Sequence, residues 1–282
     1  MGIWLGRVWG NCKVLTEMEL KELLIEGIKT NEFPKLLYKY REFGKFTDDI
    51  IINSRFYFAI AKDFNDPFDC NLSYREDYSF REIKECKKRF LKRNLNISVE
   101  VRKKMFETKG KSFISFMKAC KQELINNTGI LSLSKTNNSV TMWSHYSKKH
   151  EGLVFELDVE KDYTFFKMFG MVEYEKEYKL LSYLDADKEE TTKRVLTKFV
   201  DWEYEQEIRI IDFDKYGHRI FNKNLLKTIY FGLKASKENI QHIIKLCQVN
   251  GFSHVKFKKA KLIPGKFALD FDEINKNDYL ES

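Results

Sequence analysis

Proline and glycine are scarce, at 3 and 13 of 282 residues, which excludes collagen-like and Pro/Gly-rich low-complexity chains. Cysteine is scarce too: five thiols at 12, 70, 86, 120 and 247, odd in number and with no Cys-x-x-Cys. That pattern excludes a disulfide framework and a zinc ribbon, and predicts reduced thiols in the cytoplasm. No apolar run approaches the roughly 20 residues that span a bilayer. The start, Met1 to Gly10, lacks a basic region followed by an apolar one, so no secretory leader is expected. What is abundant is aromatic and charged. With 24 Phe, 14 Tyr and 43% hydrophobic residues, the chain is rich enough to fold, and its length suits one large domain or two small ones. The net charge of +8, from 50 Lys+Arg against 42 Asp+Glu, favours an anionic partner such as RNA, DNA or a phosphorylated small molecule. The same excess also fits the drift of a Lys-, Asn- and Ile-rich composition.

The sequence from Thr16 to Glu19 reads as a capping box ahead of an amphipathic helix with Leu20, Leu23, Leu24 and Ile28 at helical spacing. Residues 1–33 are read as an arm and helix, and 34–282 as one α+β domain. Strands are predicted at 36–41, 130–134, 152–158, 171–174, 207–211, 229–231 and 254–257. A turn feeding a strand is predicted over 50–60, and a helical insertion over about 78–127. Further helices are predicted at 136–146, capped by Asn137 or Asn138, at 187–201 and at 236–249. Strands and helices alternate without a βαβ rhythm, which argues for α+β. The expected layout is a pair of packed antiparallel sheets.

Four segments hold the unusual residues: Leu36-Leu-Tyr-Lys-Tyr-Arg41, Phe64-Asn-Asp-Pro-Phe-Asp69, Met142-Trp-Ser-His-Tyr146 with His150-Glu-Gly152, and Trp202-Glu-Tyr-Glu-Gln-Glu-Ile-Arg209. In this order they resemble the bacterial domain-of-unknown-function family numbered 2971, over roughly residues 36 to 257. More distantly the chain resembles ADP-ribosyltransferases. Lys39 or Arg41 stands where that group places a His or Arg on its first strand. Ser132, Ser134 and Trp143 follow the order of its second element, and Glu205 and Glu207 match its Glu-x-Glu strand. The resemblance implies an ADP-ribosyltransferase-like fold and an enzyme that consumes NAD as substrate, transferring ADP-ribose to a protein or nucleic acid or hydrolysing NAD, as a toxin or antiviral defence protein would. It implies catalytic Glu207, Glu205 and Arg41, with Tyr38, Lys39, Tyr40, Ser132, Ser134, Trp143, Tyr146, Asn65, Asp66 and Asp69 around NAD.

The residue types suit that chemistry. Breaking the nicotinamide–ribose bond passes through an oxocarbenium-like state that a carboxylate stabilises. Aromatic rings sandwich the nicotinamide, and Lys or Arg holds the pyrophosphate. Plainer roles compete. Glu203, Glu205 and Glu207 alternate and would share a solvated strand face. Arg41 would pair with an acidic neighbour, Trp143 and Tyr146 would be core, and the basic stretch from Arg81 to Lys104 would be a solvated face rather than a nucleic-acid contact. No metal site is expected from His145 and His150. A rival reading takes Asp158, Glu177 and Lys179 as the Asp…Glu-x-Lys signature of a metal-dependent nuclease. A third takes the chain as a non-catalytic module that binds nucleic acid.

Overall fold

The computed structural model describes residues 17–93, 98–166, 168–185 and 187–280. The stretch from Met1 to Gly10, Cys12 and the Thr16 cap lie outside them. The chain begins with α1 (Glu17–Lys29), β1 (Leu36–Arg41), α2 (Lys45–Asn53) and β2 (Arg55–Phe58). Three helices follow, α3 (Phe80–Arg93), α4 (Val99–Glu107) and α5 (Gly110–Asn127), and fill the expected insertion. Then come β3 (Gly129–Ser134), α6 (Val140–Tyr146), β4 (Leu153–Asp158), β5 (Phe169–Met171), β6 (Glu173–Glu175), α7 (Asp187–Leu196) and β7 (Thr197–Phe199). The chain closes with β8 (Glu207–Asp212), β9 (Gly217–Ile220), β10 (Leu226–Phe231), α8 (Lys237–Val249), β11 (Lys256–Leu262) and β12 (Leu269–Glu273).

The class is α+β, but the expected pair of packed sheets is not what forms. One eight-stranded sheet runs in the order β12-β11-β10-β4-β1-β3-β8-β5, flanked by the two-stranded pieces β2-β9 and β6-β7. Within the large sheet only β10 and β11 pair in parallel. The reason is burial. β4 is buried at every position, so it sits mid-sheet with β1 on one side and β10 on the other. The ladder then sorts side chains by alternation. Leu37, Leu133, Phe155, Ile208 and Phe231 enter the main core, which α1 covers with Leu24, α2 with Ile51 and α8 with Ile240 and Ile243. Tyr40, Val154 and Tyr230 enter a second core on the other face with Met142 and Trp143 of α6.

Several local expectations shift. Residues 50–53 close α2 in place of the expected turn, because Ile50 and Ile51 bury together on one helical face, and the strand expected after them forms as β2. The helix expected over 187–201 stops at Leu196, where the chain turns extended as β7 and pairs with β6. α6 starts at Val140, capped by Ser139 rather than by Asn137 or Asn138. α8 matches its prediction, and Gly251 after it takes a left-handed φ of 78°.

The feature that positions the site is a fissure in the sheet. β1 pairs with β4 along its full length, from Leu36↔Asp158 to Arg41↔Leu153. With β3 it shares a single register pair, Tyr38↔Ser134. Beyond that pair the two strands diverge, and the Lys39 side chain spans the gap, donating from Nζ to the Ser132 carbonyl at 2.8 Å. Gly152 keeps β4 close behind: a Cβ there would lie 2.2 Å from the Arg41 carbonyl.

Candidate functional site

A cavity of about 880 Å³ occupies the fissure, within the range that holds nucleotide-sized ligands. Tyr38, Lys39, Tyr40 and Arg41 of β1 line one side, and Ser132 and Ser134 of β3 the other. Tyr146, Asn65, Asp69, Glu205 and Glu207 complete its inner end, while Phe46, Asp49, Arg55, Tyr57 and His218 form its outer end. Most residues expected to form a site therefore meet in one place, although the chain separates them widely.

Register explains the grouping. Ser134 lies opposite Glu207 and Ser132 opposite Arg209, so these four share one face of the sheet. Leu37 belongs to the main core, and alternation puts Lys39 and Arg41 on that same face. The cavity thus joins both faces through the gap.

Its inner wall is a buried charge network. Arg209 is fully buried and forks onto two carboxylates. Its Nε and Nη2 donate to Glu207 at 2.8 and 3.0 Å, and its Nη1 and Nη2 to Asp69 at 2.8 and 2.6 Å. Lys198 Nζ donates to Glu205 at 2.6 Å and to Glu207 at 3.1 Å. Tyr146 donates its hydroxyl to the other Glu205 oxygen at 2.5 Å. Glu205 and Glu207 do not alternate along one strand, as the sequence suggested. Val200–Glu205 is a 3-10 turn and Gln206 is left-handed at φ 46°, so the strand starts only at Glu207.

The two carboxyls are driven apart electrostatically. Burial raises Glu205, Glu207 adds to it, and Lys198 and Tyr146 offset only part, so its pKa stands above the ordinary carboxylate range. Burial would raise Glu207 as well, but Arg209 and Lys198 outweigh it and hold Glu207 far below that range.

On the opposite wall stand two cations without carboxylate partners among the described residues. Burial lowers Lys39 to about 8, and Arg41 beside it adds to the effect. Arg41 Nε is buried with no hydrogen-bond partner. The acidic neighbour expected to pair with Arg41 does not do so. A buried ammonium costs stability while charged and nothing once neutral. Between pH 8 and the ordinary lysine range the unfolded chain binds more protons, so stability rises with pH there. Lys39→Met is therefore expected to gain on wild type at pH 7 and to lose that advantage as pH climbs toward 10. Thermal unfolding across that range checks it, and a constant difference between the two proteins would contradict the assignment.

Two expected site residues are corrected. Trp143 is fully buried in the second core, its indole N–H donating to the Asn137 carbonyl at 2.7 Å, and it does not line the cavity. Its ring belongs with Tyr40 because α6 turns that face onto the sheet. Asp66 closes its own turn, accepting from the Phe68 amide at 2.9 Å, and also stays outside the lining. The nuclease trio loses its geometry too. Asp158 caps the turn after β4 by accepting from the Glu160 amide, and Glu177 and Lys179 lie on an exposed loop after β6, outside the large sheet. In the basic stretch, Arg81, Lys84, Lys88 and Lys103 are exposed, while Lys87 turns inward to the Thr108 carbonyl at 2.6 Å.

Sequence reasoning missed Lys198 entirely, since it sits in no motif. Arg209 had a signal, two residues after Glu207 on a strand and so on the same face. No described helix is long and apolar enough to cross a membrane, and no disulfide joins Cys70, Cys86, Cys120 and Cys247 to one another. Comparison with protein-family models, with characterised proteins and with solved structures yields no match to this chain.

Proposed function

We propose that the chain consumes NAD, as an ADP-ribosyltransferase or NAD glycohydrolase with an ADP-ribosyltransferase-like fold. The observation that carries this reading is one pair of carboxyls. Glu205 and Glu207 are pushed to opposite sides of the ordinary range and share a cavity with the unpartnered guanidinium of Arg41. Environments that separate two carboxyls in this way divide acid–base labour between them. The resemblance to ADP-ribosyltransferases points to the same residues.

In this mechanism Arg41 binds the pyrophosphate, and Tyr38 and Tyr146 wall the rings. Glu207 stays ionised and fixed, so its charge is in place as the ribose C1′–nitrogen bond breaks and positive charge develops. Nicotinamide leaves with the bonding pair. Water or an acceptor nucleophile gives its lone pair to C1′ and its proton to Glu205, which burial makes the more basic of the two carboxyls. The acceptor is a protein or nucleic acid, and the exposed lysines of α3 and α4 offer it a basic approach. A toxin or antiviral defence role follows from unrestrained NAD loss.

The test is nicotinamide release from NAD by purified protein, with and without cell extract. Arg41→Ala is expected to weaken NAD binding by about tenfold to a hundredfold, the worth of a charged hydrogen bond, without lowering stability, because nothing in the fold depends on Arg41 as a partner. Absence of both nicotinamide release and any NAD-induced thermal shift would refute the proposal.

A further inference from the structure

The wall opposite the carboxyls has a use that does not depend on NAD. Lys39 Nζ lines the cavity, and its one hydrogen bond goes to a backbone carbonyl, Ser132 O, which fixes the amine in place without neutralising it. No carboxylate reaches it within ion-pair distance among the described residues. Arg41 follows two residues later on the same strand face, about 7 Å along β1 by ordinary strand spacing, with its Nε buried and unpartnered. A fixed amine and an unsatisfied guanidinium lining one cavity suit a small ligand carrying a carbonyl at one end and a phosphate at the other. Tyr38 and Tyr146 line the same cavity.

We propose that this cavity accepts a phosphorylated aldehyde, with Lys39 Nζ condensing onto its carbonyl and Arg41 holding its phosphate. The neutral amine adds its lone pair to the carbonyl carbon, giving a carbinolamine. Loss of water then forms the C=N bond. The amine gives up its protons in the process, the carbonyl oxygen leaves as that water, and nothing is oxidised or reduced. A lysine reacts this way only when a fair share of it is uncharged, and burial supplies that share by bringing Lys39 to about 8. Glu205 lines the same cavity and, as the more basic of the two buried carboxyls, is the group placed to pass the amine's proton to the departing oxygen.

The probe is pyridoxal 5′-phosphate added to the full chain at pH 8, followed by borohydride reduction, digestion and mass mapping of the stable secondary amine. The expected result is preferential modification of Lys39, which competes with every other lysine of the chain for the same reagent. Lys39→Arg should remove that site alone. Arg41→Ala keeps the amine and should raise the half-saturating concentration about tenfold or more, to the level of pyridoxal lacking phosphate. This variant keeps the proposal testable even if Lys39→Arg folds poorly. Labelling spread over surface lysines with Lys39 unmodified would overturn the amine's role. Equal labelling of Lys39 by pyridoxal and by its phosphate in the wild-type chain would overturn the anchor. Either result is read without NAD, so failure here and failure of NAD turnover remain distinct.

Discussion

Arg209→Met is expected to cost about 3–5 kcal/mol of stability, which for a chain of this size is on the order of 10 °C in melting temperature. The guanidinium is fully buried and spends its donors on Glu207, on Asp69 and on the Val195 carbonyl, the last at 2.7 Å. Methionine fills much of the volume and removes the fork. Asp69 and Glu207 are then left with Lys198 as their one ion-pair partner among the described residues, at 3.5 and 3.1 Å, while Lys198 also serves Glu205. The penalty comes from those orphaned charges, not from lost attraction as such. Pairing Arg209→Met with Asp69→Asn should therefore recover part of the loss, because one of the stranded carboxylates disappears. Arg209→Lys should rescue poorly, since a single ammonium cannot fork onto two carboxylates. Thermal unfolding of the three variants reads the result. A single Arg209→Met variant that melts with wild type would show that the network does not hold the inner wall.

Glu207→Gln is expected to lower NAD turnover by about 10²–10³, with little change in NAD binding. The amide keeps the size and a hydrogen-bond acceptor for Arg209, but the charge that meets the ribose cation is gone. Glu205→Gln should depress transfer more than hydrolysis and should alter the pH dependence of the rate, because burial raises the Glu205 carboxyl while Arg209 and Lys198 hold Glu207 low. Glu203→Gln is the control: Glu203 is exposed on the turn before them and outside the cavity. Glu207 also neutralises Arg209, so its variant loses stability as well, and turnover must be compared well below both melting points. A folded Glu207→Gln with wild-type turnover would remove the mechanism.

The strands that carry the site were legible. Alternation marks 129–134 and 207–212, and the wholly apolar face of 153–158 announces a buried strand. The grouping of Tyr38 to Arg41, Asn65, Asp69, Ser132, Ser134, Tyr146, Glu205 and Glu207 around one cavity was expected from the resemblance to ADP-ribosyltransferases, not from any local pattern in the chain. Three things were not legible. Sheet membership depends on pairing between distant segments, so two packed sheets and one long sheet look alike in a single chain. Trp143 reads the same in a site or in a core, and only the direction of α6 decides. The fissure itself is an absence of pairing between β1 and β3, which leaves no periodic trace. Lys198 was hidden for a related reason, since its role comes from β7 turning beneath β8 rather than from any local pattern.

The fissure also changes how many sheet edges another molecule can reach. A strand edge carries free N–H and C=O groups that template aggregation. Where β1 and β3 part, each gains such an edge, yet both face inward across the cavity and Lys39 already occupies Ser132 O. The outer edges are guarded differently. β5 has only three residues, too few to dock a partner strand securely, and β12 carries charged side chains along its edge, Asp270 and Asp272 paired with Lys261 and Glu273 beside Lys256, which deter a second strand. The protein thus opens its sheet in the middle to make room for a ligand while keeping the exposed margins unreceptive to other chains.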